Sequence, residues 1–205
     1  MTVNVVAIDG PVGSGKSTVA RALADALSWS FLDTGAMYRA VTVECLERGI
    51  DVLDLGLVGD VAESVVVTTL PRVVVNGRDV EDQLRTEEVN EAVSIISAQP
   101  RVREAMVALQ RQFAATQPAG TVVEGRDIAT VVFPDARLKI YLTASLQERS
   151  RRRLEEDEAS IRRRDEVDSG RTISPLRRAA DAKMIDTTGC SVDEVVQEIL
   201  KCLNR

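Results

Sequence analysis

At 205 residues, 44% of them hydrophobic and 28% charged, the chain is long enough to bury one substantial core and too short for several. Its formal net charge of −6 argues against a general binder of nucleic acid or anionic membranes, and no apolar run approaches the roughly 20 residues that a membrane-spanning helix needs. With no histidine present, imidazole bases, His-based triads and His-containing zinc motifs are excluded, which leaves carboxylate, arginine, lysine and backbone for any chemistry.

Val3 to Ile8 is almost wholly apolar, as a parallel strand covered on both faces should be. A glycine-rich turn follows, then a predicted helix with Val19, Leu23, Ala26 and Leu27 on one face. Phe31-Leu32 reads as a brief strand leading into Asp33-Thr34-Gly35, and a helix is expected from about Ala36 to Arg48, closed by Gly49. From Val65 to Val80 the composition turns β-branched, and Asn76-Gly77 is a tight-turn signal, so a small antiparallel insert is expected there. Two helices are predicted near Glu87–Ser97 and Val102–Ala115, parted by Gln99-Pro100. Thr121-Val122-Val123, Leu138–Leu142 and Met184-Ile185-Asp186 read as further strands, and Val192, Val195, Val196, Ile199, Leu200 and Leu203 mark a last helix. Strands alternating with helices predict an α/β fold with a mainly parallel sheet.

Gly10-Pro11-Val12-Gly13-Ser14-Gly15-Lys16-Ser17 fits G-x-x-x-x-G-K-[ST], between a strand and an amphipathic helix. Glycines let backbone N–H groups converge on phosphates, and the helix start adds partial positive charge. Gly10 to Thr18 are thus candidate contacts for the phosphates of ATP or another nucleotide, with Lys16 reaching the β and γ phosphates and the Ser17 hydroxyl taking Mg²⁺. The cradle alone leaves GTPases, ATPases and kinases open. A GTPase would carry D-x-x-G midway and N-K-x-D later. The single D-x-x-G, Asp186 to Gly189, lies near the C-terminus, and N-K-x-D is absent.

Asp33 to Arg39 places a hydroxyl, a small turn and then Tyr38 and Arg39 at a helix start, a place suited to an anion as well as to an ordinary cap. Ten of the 22 arginines fall between Arg149 and Arg178, interleaved with Glu155–Glu158 and Asp165–Asp168. Many of these belong to solvated ion pairs, whereas Arg149, Arg153, Arg164 and Arg171 are candidates for a lid that neutralises a transferring phosphoryl group and excludes water. Glu124, at the end of a predicted strand, is a candidate for holding a Mg²⁺-bound water.

Gly10–Thr18, Asp33–Arg39, Arg85–Val89, Pro100–Glu104 and Gly125–Asp127, in this order and spacing, resemble the bacterial cytidylate kinases over nearly the whole chain. The resemblance implies a P-loop-type sheet flanked by helices, an acceptor-binding insert containing a small antiparallel sheet, and a short Arg-rich lid. It divides one kinase unit into a core (about 1–34, 117–148 and 173–205), an NMP-binding lobe (about 35–116) and a lid (about 149–172). It further implies Mg²⁺- and ATP-dependent phosphorylation of CMP and dCMP. Thr34, Tyr38, Arg39 and Arg126 would then surround the acceptor phosphate, Asp33 would stand among the CMP contacts, and Ser94, Arg103 and Asp127 would read the cytosine edge. Arg164 and Asp168 would hold the acceptor and its sugar, and Arg171 would approach the phosphates; Lys16, Arg126, Arg164 and Arg171 form the catalytic set. The family often has aspartate where this chain has Glu124. The stretch between Ser150 and Arg164 is shorter than in some members, so no donor-base residue is assigned. A kinase of the same architecture acting on UMP or another small acceptor, or a regulatory module without turnover, are the competing readings. Widely spaced Cys45, Cys190 and Cys202, with no signal-peptide pattern, lead to an expected cytoplasmic protein with reduced thiols. With no long apolar interface stripe in the sequence, a monomer handling small nucleotides is expected.

Overall fold

In the computed structural model, residues 4–153, 158–170 and 175–203 are described, without the side chains of Ser160, Arg164, Val167 and Asp168. The chain divides into two compact units, Met1–Leu32 with Arg111–Arg205, and Asp33–Gln110.

The first unit is built on β1 (Val5–Asp9), whose five residues are all buried. It is central in a five-stranded sheet of order β2-β6-β1-β7-β8, with β2 at Ser30–Asp33, β6 at Thr121–Gly125, β7 at Leu138–Thr143 and β8 at Lys183–Asp186. The pairings β1–β6, β1–β7 and β7–β8 are parallel. Their register sets Asp9 beside Gly125, and Thr143 beside Asp186. The segments leaving β1, β6, β7 and β8 therefore all emerge at the carboxyl edge of the sheet, where ligands of open α/β sheets bind.

Helix α1 (Lys16–Leu27) and the C-terminal helix (Val192–Leu203) pack on this sheet, with Val6, Ile8, Leu23, Val122, Ile140, Leu142 and Ile199 in one core. The buried stripe of α1 is Val19, Ala20, Leu23 and Ala24. Ala26, expected on that stripe, is exposed, because the helix turns its alanines at i and i+4 toward the close-packed sheet.

The second unit begins with α2 (Thr34–Glu47), two residues earlier than predicted, because Asp33 Oδ1 accepts the Ala36 N–H and caps it. Helix α3 (Leu55–Ser64), which the sequence reading did not anticipate, follows under an Asp54 cap. The antiparallel insert is present as β3 (Val67–Thr68), β4 (Val74–Val75) and β5 (Arg78–Asp79), shorter than the β-branched run suggested. Asn76 (φ 50°) and Gly77 (φ 84°) make the β4–β5 turn, both in the left-handed region that a two-residue hairpin demands. Helices α4 (Glu87–Ile96) and α5 (Pro100–Ala115) follow, and Pro100 opens α5, where its missing N–H does no harm.

Candidate active site

At the carboxyl end of β1 the chain turns through Gly10, Gly13 and Gly15, with φ of 152°, 76° and 86°. Glycine accepts such angles, and a Cβ at Gly10 would overlap the Leu142 carbonyl. Within the turn, Ser14 Oγ and Lys16 Nζ donate to the Pro11 carbonyl at 2.9 and 2.8 Å, which holds the lysine against its own loop. Gly15 caps α1 without a side-chain acceptor, so no side chain competes there for an incoming anion. Ser17 Oγ donates to Glu124 Oε1 at 2.5 Å. A hydroxyl and a carboxylate side by side are oxygen donors of the kind Mg²⁺ takes. Among the described residues no group of three or more Cys, Asp or Glu could hold a metal, so a cation here would need oxygens from a bound phosphate as well.

Arg126 and Asp127 follow β6 directly. Arg126 Nη1 donates to the Gly10 carbonyl at 3.2 Å, and Asp127 is buried. Beyond them Ile128–Val132 forms a π-helical turn, in which Val132 N–H reaches the Asp127 carbonyl. Asp9, 1% exposed, accepts the Ile128 and Ala129 N–H groups, each at 2.8 Å, on its two carboxylate oxygens. Burial pushes the Asp9 carboxyl up to about 6, aided by the charge of Asp127 and opposed by those two amides and by Lys16. Sequence reasoning passed over Asp9. Its signal is an acid as the last residue of an otherwise apolar, covered strand.

Helix α6 (Leu146–Arg152) lies against the glycine turn. Arg149, an expected lid residue, is buried and donates to the Val12 carbonyl at 3.1 Å and to Asp165 Oδ2 at 2.5 Å. Arg152, not among the expected set, gives Nη1 to Thr187 Oγ1 at 2.8 Å and Nη2 to the Thr187 carbonyl at 2.6 Å. Arg153 follows α6 as its cap residue. Arg164 and Asp168 lie on α7 (Glu158–Gly170), with their side chains outside the described structure, and Arg171 lies outside the described residues.

In the second unit, Thr34, Tyr38 and Arg39 occupy the first turns of α2, Thr34 and Tyr38 buried. Arg39 Nη1 donates to the Leu84 carbonyl at 2.7 Å and to Asn90 Oδ1 at 2.8 Å. Arg103, buried on α5, donates to the Ser97 carbonyl at 3.3 Å and lies 5.7 Å above the Tyr38 ring. Ser94 is half-buried on α4. The cap role of Asp33 occupies one of its oxygens with a backbone amide.

A family model described as cytidylate kinase matches residues 6–205. The cytidylate kinase of Carboxydothermus hydrogenoformans is 45% identical, over 98% of this chain and 97% of its own. That of Geobacillus kaustophilus is 47% identical, over 97% and 96%. Among solved structures, a gluconokinase from Sinorhizobium meliloti superposes with a TM-score of 0.55 at 15% identity, covering all of this chain and 93% of that one, a likeness of fold alone.

Proposed function

The chain belongs to the cytidylate kinase family, and from that premise we infer that it transfers the γ-phosphoryl group of ATP to CMP and dCMP, giving ADP with CDP or dCDP. The observation that carries the reading is the glycine turn of residues 10–17, with Lys16 held inside it and Arg126 bonded to its first carbonyl. Such a cradle serves a nucleoside triphosphate, and the family match over residues 6–205 supports a cytidine monophosphate as acceptor.

The bond from the γ-phosphorus to the β–γ bridging oxygen breaks as an oxygen of the acceptor phosphate bonds to that phosphorus in line. The acceptor phosphate is already anionic near neutral pH, so no strong general base is needed, and catalysis is positioning and charge neutralisation. Lys16 and the amides of residues 13–18 hold the donor phosphates, and Arg126 meets the developing charge. Mg²⁺ would be held by Ser17 Oγ and phosphate oxygens, with Glu124 binding it through a water, and it would neutralise charge on the β and γ phosphates.

On the acceptor side we assign Thr34, Tyr38, Arg39 and Arg126 to the phosphate, Ser94, Arg103 and Asp127 to the base, and Asp33 to the CMP site as the cap that sets the start of α2. Asp127 and Ser94 supply acceptor oxygens for cytosine's exocyclic amine, which the uracil carbonyl would repel. Arg164 and Asp168 are assigned to the acceptor and its sugar, and Arg171 to the transferring phosphates. Residues 35–116 serve as the acceptor lobe and 149–172 as the lid. The net charge of −6 favours free nucleotides over nucleic acid or an anionic membrane surface, and we take the protein to act on them as a cytoplasmic monomer.

The test is coupled ADP release with Mg·ATP against CMP, dCMP, UMP, AMP, GMP and TMP. Turnover concentrated on CMP and dCMP is expected. Preference for another monophosphate would discard the base-reading assignment while keeping a kinase, and silence with all six would discard the reaction.

A further inference from the structure

Asp9 has no part in the phosphate cradle, yet it is the last residue of the most buried strand and carries a carboxylate. An apolar side chain would fill that position without the penalty of burying a charge. What the carboxylate does is bidentate: Oδ1 takes the Ile128 amide and Oδ2 the Ala129 amide, each at 2.8 Å. Two acceptors on one rigid, packed group fix the orientation of both peptides, and not only their distance. The next residue, Gly10, accepts Arg126 Nη1 through its carbonyl. Downstream, the Asp127 carbonyl takes the amides of Val131 and Val132 at 2.9 and 3.2 Å. The corner formed by Arg126 and Asp127 is thus gripped on one flank by residues 9 and 10 and on the other by its own π-helical turn.

We propose that Asp9 is a positioning residue for the acceptor nucleotide, its carboxylate holding the Arg126–Asp127 corner in the orientation from which these two side chains meet the acceptor. This rests on the assignment of Arg126 and Asp127 to CMP made above. Asp9 itself touches neither nucleotide. The charged groups facing it are Asp127, which disfavours its ionisation, and Lys16, which favours it. At neutral pH the carboxylate form that accepts both amides prevails.

The Asp9→Asn enzyme separates positioning from mere support. Asparagine keeps the shape and one acceptor oxygen, but turns an NH₂ toward the other amide. The KM for CMP is expected to rise at least about tenfold, the loss of one charge-assisted hydrogen bond, with preference for CMP over UMP falling in step. The dissociation constant of a fluorescent ATP analogue should change by less than about threefold, because the cradle keeps its own bonds. A CMP KM within about twofold of wild type, or an ATP constant that rises as much as the CMP KM, overturns the proposal. Should D9N fail to fold, amide NMR of the wild-type enzyme decides. Saturation with CMP should shift the Ile128 and Ala129 amides more than ATP does, and amides indifferent to CMP overturn the proposal. Wild-type enzyme inactive on CMP would instead sink the functional reading, a failure seen before any variant is made.

Discussion

Ser17 Oγ donates a 2.5 Å hydrogen bond to Glu124 Oε1, joining the first turn of α1 to the end of β6 across 107 residues of sequence. The hydroxyl proposed to take Mg²⁺ is thus oriented by the carboxylate proposed to meet the same cation through a water. Ser17→Ala should lower kcat/KM for Mg·ATP roughly a hundredfold, in the range seen when one preorganised polar group is lost from a transferring centre. Glu124→Gln keeps an acceptor oxygen and removes the charge, so it should raise the Mg²⁺ concentration for half-maximal rate while leaving metal-free nucleotide binding intact. A Mg²⁺ titration at fixed ATP reads this, and an unchanged midpoint in E124Q would remove Glu124 from the metal's surroundings.

Gly13 shows how tightly α6 sits on the glycine turn. Its φ is +76°, and a Cβ there would lie 2.9 Å from Arg149 Cβ and 3.0 Å from the Arg149 carbonyl oxygen. Backbone cannot step aside as a flexible side-chain tip can. Gly13→Ala should weaken ATP binding at least about tenfold, since both the left-handed strain and the displaced α6 act on the same loop. Gly49→Ala is the control, with a similar φ of +65° and nothing within 4 Å of the added Cβ. It should cost about 1–2 kcal/mol of stability from strain and leave ATP affinity as it was. Equal effects on ATP affinity in both variants would mean that strain, and not the Arg149 contact, governs Gly13.

In the second unit Glu44 gathers the insert onto α2. Its carboxylate accepts Arg48 Nε and Nη2 at 2.9 and 2.5 Å, Asn76 Nδ2 at 3.1 Å and Arg78 Nη2 at 3.3 Å. Burial pushes the carboxyl up, but these hydrogen bonds and the arginine charges more than offset it and hold the group below its ordinary range. A depressed folded-state value means that the folded protein binds this proton less readily than the unfolded chain does. The stability it brings is present above the unfolded value near 4.5 and is lost as pH falls through the folded value. Urea unfolding should give a Glu44→Gln protein about 1 kcal/mol less stable than wild type at pH 7. The gap should narrow in acid as wild-type Glu44 takes up its proton. Asp9 works in the opposite sense, since its raised value favours the folded state as pH drops through about 6. A gap that stays constant down to pH 3 would show that the Glu44 network contributes no charge-dependent stability.

The features legible in the sequence were local ones. The alternation of apolar runs and helices, the glycine turn and the Asn76-Gly77 hairpin each announce themselves within a few residues, and each is present. Helix α3 escaped because Gly56 and Gly59 dilute its pattern. The packing explains one of them: the Arg101 guanidinium lies 2.7–2.9 Å from where a Gly59 Cβ would stand, on its way to Asp60 and Glu63. The insert strands shrank because a β-branched run states a preference, not the presence of a partner strand. Near the cradle, Asp9 with Ile128 and Arg152 with Thr187 join residues 119 and 35 apart. No local spacing encodes such pairs; they arise only once the sheet brings the carboxyl ends of its strands together.

Thr187 makes this last kind of contact testable. It is 2% exposed, directly after β8, and its Oγ1 lies 3.1 Å from both the Ser14 and Thr143 carbonyls while accepting Arg152 Nη1 at 2.8 Å. A hydroxyl has one proton, so it donates to one of those carbonyls as it accepts from the arginine. It thereby links a backbone carbonyl of the cradle or of β7 to α6. Thr187→Val keeps the shape and removes both functions, leaving buried carbonyl and guanidinium groups short of a partner. A stability loss of about 1–3 kcal/mol is expected, with a rise in the KM for ATP that exceeds any change for CMP. Thr187→Ser restores the hydroxyl and should recover the ATP constant even if some stability stays lost with the methyl group. If serine fails to rescue while valine harms, the methyl packing and not the hydroxyl is what Thr187 contributes. If valine is harmless, Arg152 holds α6 through its bond to the Thr187 carbonyl alone.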